Sequence, residues 1–425
     1  MRIAYVIPAY PPVTSQPFVV NEMVEVQEAG HPLVVLGLHR GAGEPVRHGT
    51  FERLRPEHVL PAALCDWRTL GLAFWVTIAR PIRVLRTLAG LHWEAGRRPW
   101  AHARLIAVTP KALAAAWRFE RLGVEHIHAH WATATADCAA IAGAVSGLPF
   151  SFTAHAYDIY SQAPRVRNAT LAWKLRHAAQ VFCVSNFLTE LIRRQLPPQR
   201  RDRVATTYVG IPTHLFRVEP PPPDTQGLRL LCVARFVETK GLDTLVAACG
   251  LLRDRGLAFR LEVFGDGPLR PALEAQIARL GLAEHVVLPG HISQEDVACR
   301  MRACHLFVMP CRQDRVGDMD GIPTVFMEAM ATGRPVVSCA LSGIPELVRD
   351  EETGLLVPPD DPGALADAIA RLAANPEERL RLGRQGRALV ERQHDQHPNA
   401  QRVVRLLLQT HASTDGSLRT SGSAR

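Results

Sequence analysis

The sequence has no Cys-x-x-Cys pair, and its nine cysteines are odd in number and scattered. That excludes a disulfide scaffold and fits reduced, mostly buried thiols in a cytoplasmic protein. Long apolar runs are missing as well. The longest candidate for membrane insertion, Leu70 to Ala79, stops after ten residues at Arg80-Pro81, about half of the ~20 that a spanning helix needs. Met1-Arg-Ile-Ala-Tyr-Val-Ile7 reads as a strand from the start and lacks the charged, apolar and small-residue sections of a signal peptide. No internal repeat stands out beyond a two-part alternation. With 47% hydrophobic and 21% charged residues, the composition excludes a mainly disordered, collagen-like or coiled-coil chain.

What is present is length and positive charge. At 425 residues the chain is long enough for two domains, each with its own core. The net charge is +8, and it is unevenly placed: residues 1–212 hold 24 Lys and Arg against 14 Asp and Glu, the remainder 25 against 27. The basic excess is wholly N-terminal, which points to an anionic partner for that half.

Short β-branched runs alternate with helical stretches, at Ile3–Ile7, Leu33–Leu38, His126–Ala129, Phe150–Thr153, Val181–Val184 and Val204–Tyr208. The pattern restarts after the proline run Pro220–Pro223, with Leu228–Val233, Arg260–Phe264, Val286–Leu288, Leu306–Met309 and Pro335–Ser338. Alternation of this kind predicts α/β architecture with parallel sheets covered on both faces. The expected division is residues 1–216, with a helical insertion over about 60–120, a linker at 217–227, a second α/β domain at 228–390, a helix at 391–410 that could return to the first domain, and a disordered tail at 411–425. Two doubly wound, Rossmann-like domains would face each other across a cleft, with ligands at the C-terminal ends of the strands.

Several loops carry residues suited to chemistry. Asp320 and Glu328 are acids separated by seven residues, one in a loop before Pro323 and one in the following helix. Arg235 and Lys240 follow the first strand of the second domain where a helix opens, a placement suited to phosphate through side-chain charge and oriented N–H groups. Gly265 and Gly267 lie in another strand-to-helix turn and permit close backbone approach. His155 closes a strand of the first domain, with Asp158 three residues on. His126-Ile-His-Ala-His130 places three histidines on one strand face, a spacing open to metal ligation. Asp318-Met-Asp320 is a second possible metal motif. The histidines come without a convincing further ligand set, and the Asp-x-Asp lies deep in the second α/β unit, where it overlaps the Asp320–Glu328 acid pair.

The run Asp320-Gly-Ile-Pro-Thr-Val-Phe-Met-Glu328 through Gly333-Arg-Pro-Val-Val resembles the acid-x7-Glu signature of the family 4 glycosyltransferases, enzymes of the GT-B fold, although the usual first acid is Glu. His130-Trp-Ala beside Phe152-Thr-Ala-His-Ala-Tyr-Asp-Ile159 resembles a subgroup acting in exopolysaccharide, colanic-acid-like assembly. The resemblance implies a retaining, metal-independent glycosyltransferase that uses a nucleotide diphosphate sugar without a cofactor. It assigns Arg235 and Lys240 to the donor diphosphate, Asp320 to the donor sugar, Glu328 to the ribose, Gly265 and Gly267 to the nucleotide pocket, and His155 to the sugar and acceptor. Ser15, Gln16, His130 and Asp158 would border the acceptor, with Ser15 and Gln16 standing where many members carry a Gly-Gly turn. Expected partners are a UDP- or GDP-sugar, a polyprenyl-diphosphate-linked or oligosaccharide acceptor and an anionic membrane surface, with no nucleic acid. The expected location is cytoplasmic, possibly peripheral on the inner membrane face. Two alternatives stay open: a GT-B phosphorylase or epimerase, and a catalytically silent nucleotide-sugar-binding component of an assembly complex.

Overall fold

The computed structural model describes residues 1–11, 17–41, 52–60, 66–163, 168–223, 225 and 227–422, with side chains from 411 onward, and those of residues 294 and 295, not described. Ser15 and Gln16 lie outside the described residues. The chain divides into two units, the first formed by Met1–Gly210 and Gln396–Arg425 and the second by Ile211–Asp395.

The first unit holds a parallel sheet of seven strands: β1 (Ile3–Tyr10), β2 (Leu33–Arg40), β3 (His58–Leu60), β4 (His126–His130), β5 (Phe150–Ala154), β6 (Gln180–Cys183) and β7 (Val204–Thr206). Their order is β3-β2-β1-β4-β5-β6-β7, so the winding reverses between β1 and β4. Strands β1, β4 and β5 are buried almost throughout, as a sheet covered on both faces requires, although β4 carries three histidines and β5 a serine and a threonine. On one face Ile3, Tyr5 and Ile7 of β1 pack with Val19, Val20 and Met23 of helix Pro17–Glu28 and with Val403, Val404 and Leu407 of the C-terminal helix. That last helix, Gln396–Gly422, therefore belongs to the first unit. Its backbone continues past residue 410, where the sequence suggests an unstructured tail.

Between β3 and β4 lie three consecutive helices, Trp67–Ala79, Pro81–Ala95 and Pro99–Arg121. Asp66 caps the first through Thr69 N–H at 2.9 Å, and proline opens each of the other two, where a missing N–H costs nothing. Beneath them a fully buried ion pair joins Lys174 and Asp137 at 2.7 Å, with Thr170 donating to the same carboxylate and Arg104 at 3.0 Å from its other oxygen.

The second unit has six parallel strands: β8 (Leu228–Val233), β9 (Phe259–Phe264), β10 (Val286–Gly290), β11 (Leu306–Val308), β12 (Val336–Cys339) and β13 (Gly354–Val357), in the order β10-β9-β8-β11-β12-β13. Here the winding reverses between β8 and β11. All eleven strands expected from the sequence are present. The two additional ones, β3 and β13, are short, and β3 is an edge strand directly after Arg55-Pro56.

The proline-rich stretch differs from a free linker. The division falls after Gly210, and residues 211–227 are tied into the second unit: Arg334 donates to the Glu219 carbonyl at 3.0 Å and His305 meets the Pro222 carbonyl at 2.8 Å. That unit also runs to Asp395 rather than 390, because Ile211 N–H donates to the His394 carbonyl at 2.8 Å.

Candidate active site

In each unit the candidate residues gather where the winding reverses, the point at which successive connections leave in opposite directions and open a crevice at the strand ends. In the second unit the two loops concerned follow β8 and β11. Lys240, at the end of the short 3-10 turn Glu238–Lys240, reaches Asp320 of the other loop with Nζ to Oδ1 at 2.6 Å. Burial alone would pull the Lys240 ammonium down, but the Asp320 carboxylate offsets this and leaves it above the ordinary lysine value. It is a fixed cation.

Arg312, which the sequence reading does not single out, holds this geometry. Its Nε donates to the Glu238 carbonyl and one Nη to Asp243, both at 2.9 Å, and its N–H donates to the Thr239 carbonyl at 3.0 Å. The turn bearing Lys240 is thereby clamped from the opposite loop. Gly241 follows at φ 60°, and a Cβ there would stand 2.0 Å from the Pro310 carbonyl oxygen, so only glycine lets the loops meet.

Arg235 is exposed beside this turn. Gly265 lies immediately after β9 at φ 126°, where a Cβ would come within 1.9 Å of the Ala234 carbonyl oxygen, and at Gly267 one would come within 2.6 Å of that of Phe236. Glycine at both positions brings the loops after β8 and β9 into backbone contact, with Phe236 N–H donating to Asp266 O at 2.9 Å. Glu328 sits in helix Thr324–Ala331, whose Phe326, Met327 and Met330 are buried. Burial pushes its carboxyl up to about 7. Asp318, the other acid of the Asp-x-Asp, rises to about 6 through burial and then the nearby Asp314 charge.

In the first unit the reversal lies between β1 and β4. His130 ends β4 and His155 follows β5, and the rings meet through Nδ1 and Nε2 at 3.3 Å. The other nitrogen of His130 faces Glu22 of helix Pro17–Glu28 at 3.2 Å, and Glu22 accepts from the Tyr5 hydroxyl at 2.9 Å. This is a continuous chain, Tyr5–Glu22–His130–His155, and sequence reading missed its carboxylate. Trp131 stacks on His155 with ring centres 4.8 Å apart. Burial and the neighbouring His130 hold His155 well below the usual histidine range, so the ring is neutral. Asp158 accepts from the Ala132 N–H, and burial raises its carboxyl to about 7. His130, His155 and Glu22 line a small pocket of about 30 Å³, bordered on another side by Tyr208 and by Asn399 of the C-terminal helix.

Glu22, His128 and His130 also bring three potential metal donors within 4.8 Å of one another, so the histidine strand gains a carboxylate that the sequence did not reveal. Their atoms are already engaged, however. His128 meets the Ser151 hydroxyl at 2.8 Å and the Thr153 hydroxyl at 3.1 Å, and burial keeps it neutral. These contacts and the His130–Glu22 bond engage all three side chains in hydrogen bonds.

Two doubly wound parallel sheets, each with its candidate residues near the reversal point of its winding, define the GT-B fold. Residues 227–375 match the family described as Glycosyl transferases group 1. The chain is 30% identical over 297 residues to the GDP-mannose-dependent alpha-(1-6)-phosphatidylinositol monomannoside mannosyltransferase of Mycobacterium tuberculosis H37Rv, covering 65% of this chain and 74% of that one. It belongs to this glycosyltransferase family. It is also similar to the amylovoran biosynthesis glycosyltransferase AmsK of Erwinia amylovora, 29% identical over 93% of this chain and 97% of the relative. A stronger but shorter likeness, 38% over 170 residues, is to the putative colanic acid biosynthesis glycosyltransferase WcaL of Escherichia coli K12, where it spans 40% of this chain and 42% of the relative. Among solved structures, Anabaena Alr3699/HepE in complex with UDP shares the fold, with a TM-score of 0.70 at 17% identity over 96% of this chain and all of that one.

Proposed function

We propose that the protein transfers a sugar from a nucleotide diphosphate donor to a saccharide or lipid-linked saccharide acceptor in exopolysaccharide assembly, with retention at the anomeric carbon and without a metal ion. The observation that carries this reading is the Lys240–Asp320 pair at the reversal point of the second sheet, 2.6 Å long and clamped by Arg312. The chemical barrier is departure of a diphosphate, and a catalyst must stabilise the charge growing on it. Lys240 supplies a permanent cation, exposed Arg235 a second, and helix Leu242–Asp254 an N-terminus immediately after Gly241. A metal at Asp320 would compete with the ammonium already there, which supports metal-independent chemistry.

In this reading Asp320 passes from Lys240 to the donor sugar as the diphosphate takes over the ammonium. Glu328 holds the ribose diol, and the turn containing Gly265 and Gly267 lets the base approach the backbone. Neutral His155, aligned by His130 and Glu22, donates or accepts a hydrogen bond at the sugar and acceptor. The leaving phosphate oxygen takes the acceptor proton, so no residue is required as general base. The similarity to WcaL and AmsK supports an exopolysaccharide acceptor, and the UDP-bound neighbour supports a nucleotide donor. Calorimetric titration with UDP and GDP in the presence of EDTA tests the donor assignment: one nucleotide binds wild type and loses at least about tenfold with Lys240→Ala. Failure of both to bind overturns the reading.

A further inference from the structure

We infer that the outer face of the inserted helices docks in the plane of an anionic phospholipid membrane. Helix Trp67–Ala79 has two apolar sides. Thr69, Ala73 and Val76 face inward and are buried. The opposite stripe, Trp67, Leu70, Phe74, Trp75 and Ile78, is exposed, with Phe74 at 69% and Trp67 at 76%. It continues through Ile82 and Leu85 of the next helix, the latter at 70%, while Trp93 near that helix's end is 87% exposed. Scattered apolar residues on a surface are ordinary, but seven large exposed ones between Trp67 and Leu85, on two consecutive helices, need a cover.

Charge identifies the cover. Residues 67–121 contain ten Lys and Arg against two Asp and Glu, so this segment alone equals the +8 of the whole chain. Both of its acids are already neutralised, Glu94 by Arg176 and Glu120 by Arg80. Arg86 and Arg97 are exposed without an ion-pair partner among the described residues, and Arg68 lies over the Trp67 ring at 5.2 Å. A second copy of the chain would set like charge against like. An apolar stripe edged by arginine and indole groups instead fits the boundary between acyl chains and anionic headgroups.

The geometry is interfacial and not spanning. Thirteen residues of helix extend only about 20 Å, against about 30 Å of hydrocarbon, and no helix among the described residues is long and apolar enough to cross a membrane. Docked through this face, the first unit would lie against the surface that holds any lipid-linked acceptor. The proposal stands independently of glycosyl transfer, since its test uses no substrate.

The test is sedimentation with vesicles of phosphatidylcholine alone or with phosphatidylglycerol added. Wild type should pellet with the anionic vesicles, less so at high salt, and little with the neutral ones. A Phe74→Ser, Trp75→Ser, Ile78→Ser triple variant should lose partitioning by about tenfold or more while keeping its thermal midpoint, because those side chains contact solvent. A second variant, Arg86→Glu with Arg97→Glu, should weaken anionic binding and remove its salt dependence. Wild type remaining in the supernatant, or both variants pelleting like wild type, overturns the inference. So does a triple variant that changes only the oligomeric mass of the protein, which would mark the face as a protein interface.

Discussion

Lys240 and Asp320 are 80 residues apart in sequence, yet their side chains meet at 2.6 Å and join the two loops at the reversal point of the second sheet. In the proposed reading the ammonium is held for a diphosphate, and the carboxylate releases it when one binds. Lys240→Ala should weaken nucleotide diphosphate binding by roughly tenfold to a hundredfold, the range of a charge-assisted hydrogen bond. Asp320→Asn should change the affinity in a manner coupled to Lys240. A double-mutant cycle by calorimetry checks this, and additive effects would show that the pair does not act together.

Glu328 provides a pH test. Burial raises its carboxyl to about 7, so the group is mostly protonated at pH 6 and mostly ionised at pH 8. A ribose diol donates to the ionised form. Nucleotide affinity should therefore rise by up to about tenfold between pH 6 and 8, and Glu328→Gln should flatten the dependence. Affinity that instead falls across this interval in wild type would contradict the ribose assignment.

The chain from Glu22 through His130 to His155 should affect turnover more than donor binding. His155→Ala is expected to lower kcat by about a hundredfold, comparable to losing one donor at a charged transition state, while leaving nucleotide affinity within a few fold. Glu22→Gln should produce a smaller fall in kcat, with Asp in its place restoring part of it. Equal losses in binding and turnover would assign these residues to the structure of the pocket alone.

The buried Lys174–Asp137 pair makes a prediction about stability. Burial alone would raise Asp137, but Lys174 and Arg104 keep it below the usual carboxylate range, while burial lowers Lys174 to about 8. Lys174→Met leaves a buried carboxylate short of its main partner and should cost about 3 kcal/mol in urea unfolding. The Asp137 contribution is present above the unfolded value near pH ~4 and disappears as pH falls through its lower folded value. Asp137→Asn should therefore be less sensitive to pH in that acid range, though less stable at neutrality.

Much of the fold is legible in the sequence because parallel strands buried on both faces must be nearly continuous apolar runs. Ile3–Ile7 and Leu228–Val233 announce themselves in this way, whereas β3 is a short edge strand with His58 and Val59 exposed, and β13 is an edge strand that begins on a glycine. Of the candidate site, Arg235, Lys240, Asp320 and the two glycines are visible because they fall next to recognisable strands and turns. Glu22 and Arg312 are not. Their roles depend on contacts across 108 and 74 residues, to His130 and Glu238, and each residue type is commonplace in its own segment. The basic charge of the N-terminal half, and the alternation of Arg with Trp, Leu and Phe in its inserted segment, are legible in the sequence; which of those apolar side chains stay exposed depends on which helix face is buried.

The central claim is retaining sugar transfer from a nucleotide donor, and the most direct measurement is the anomeric configuration of the product. Purified protein would be incubated with UDP- and GDP-sugars and a lipid-linked saccharide acceptor in EDTA, and the new glycosidic bond examined by proton NMR. The account predicts a glycoside with the donor's anomeric configuration, undiminished by EDTA and lost with Lys240→Ala. An inverted product, or a donor that neither binds nor transfers, would contradict it.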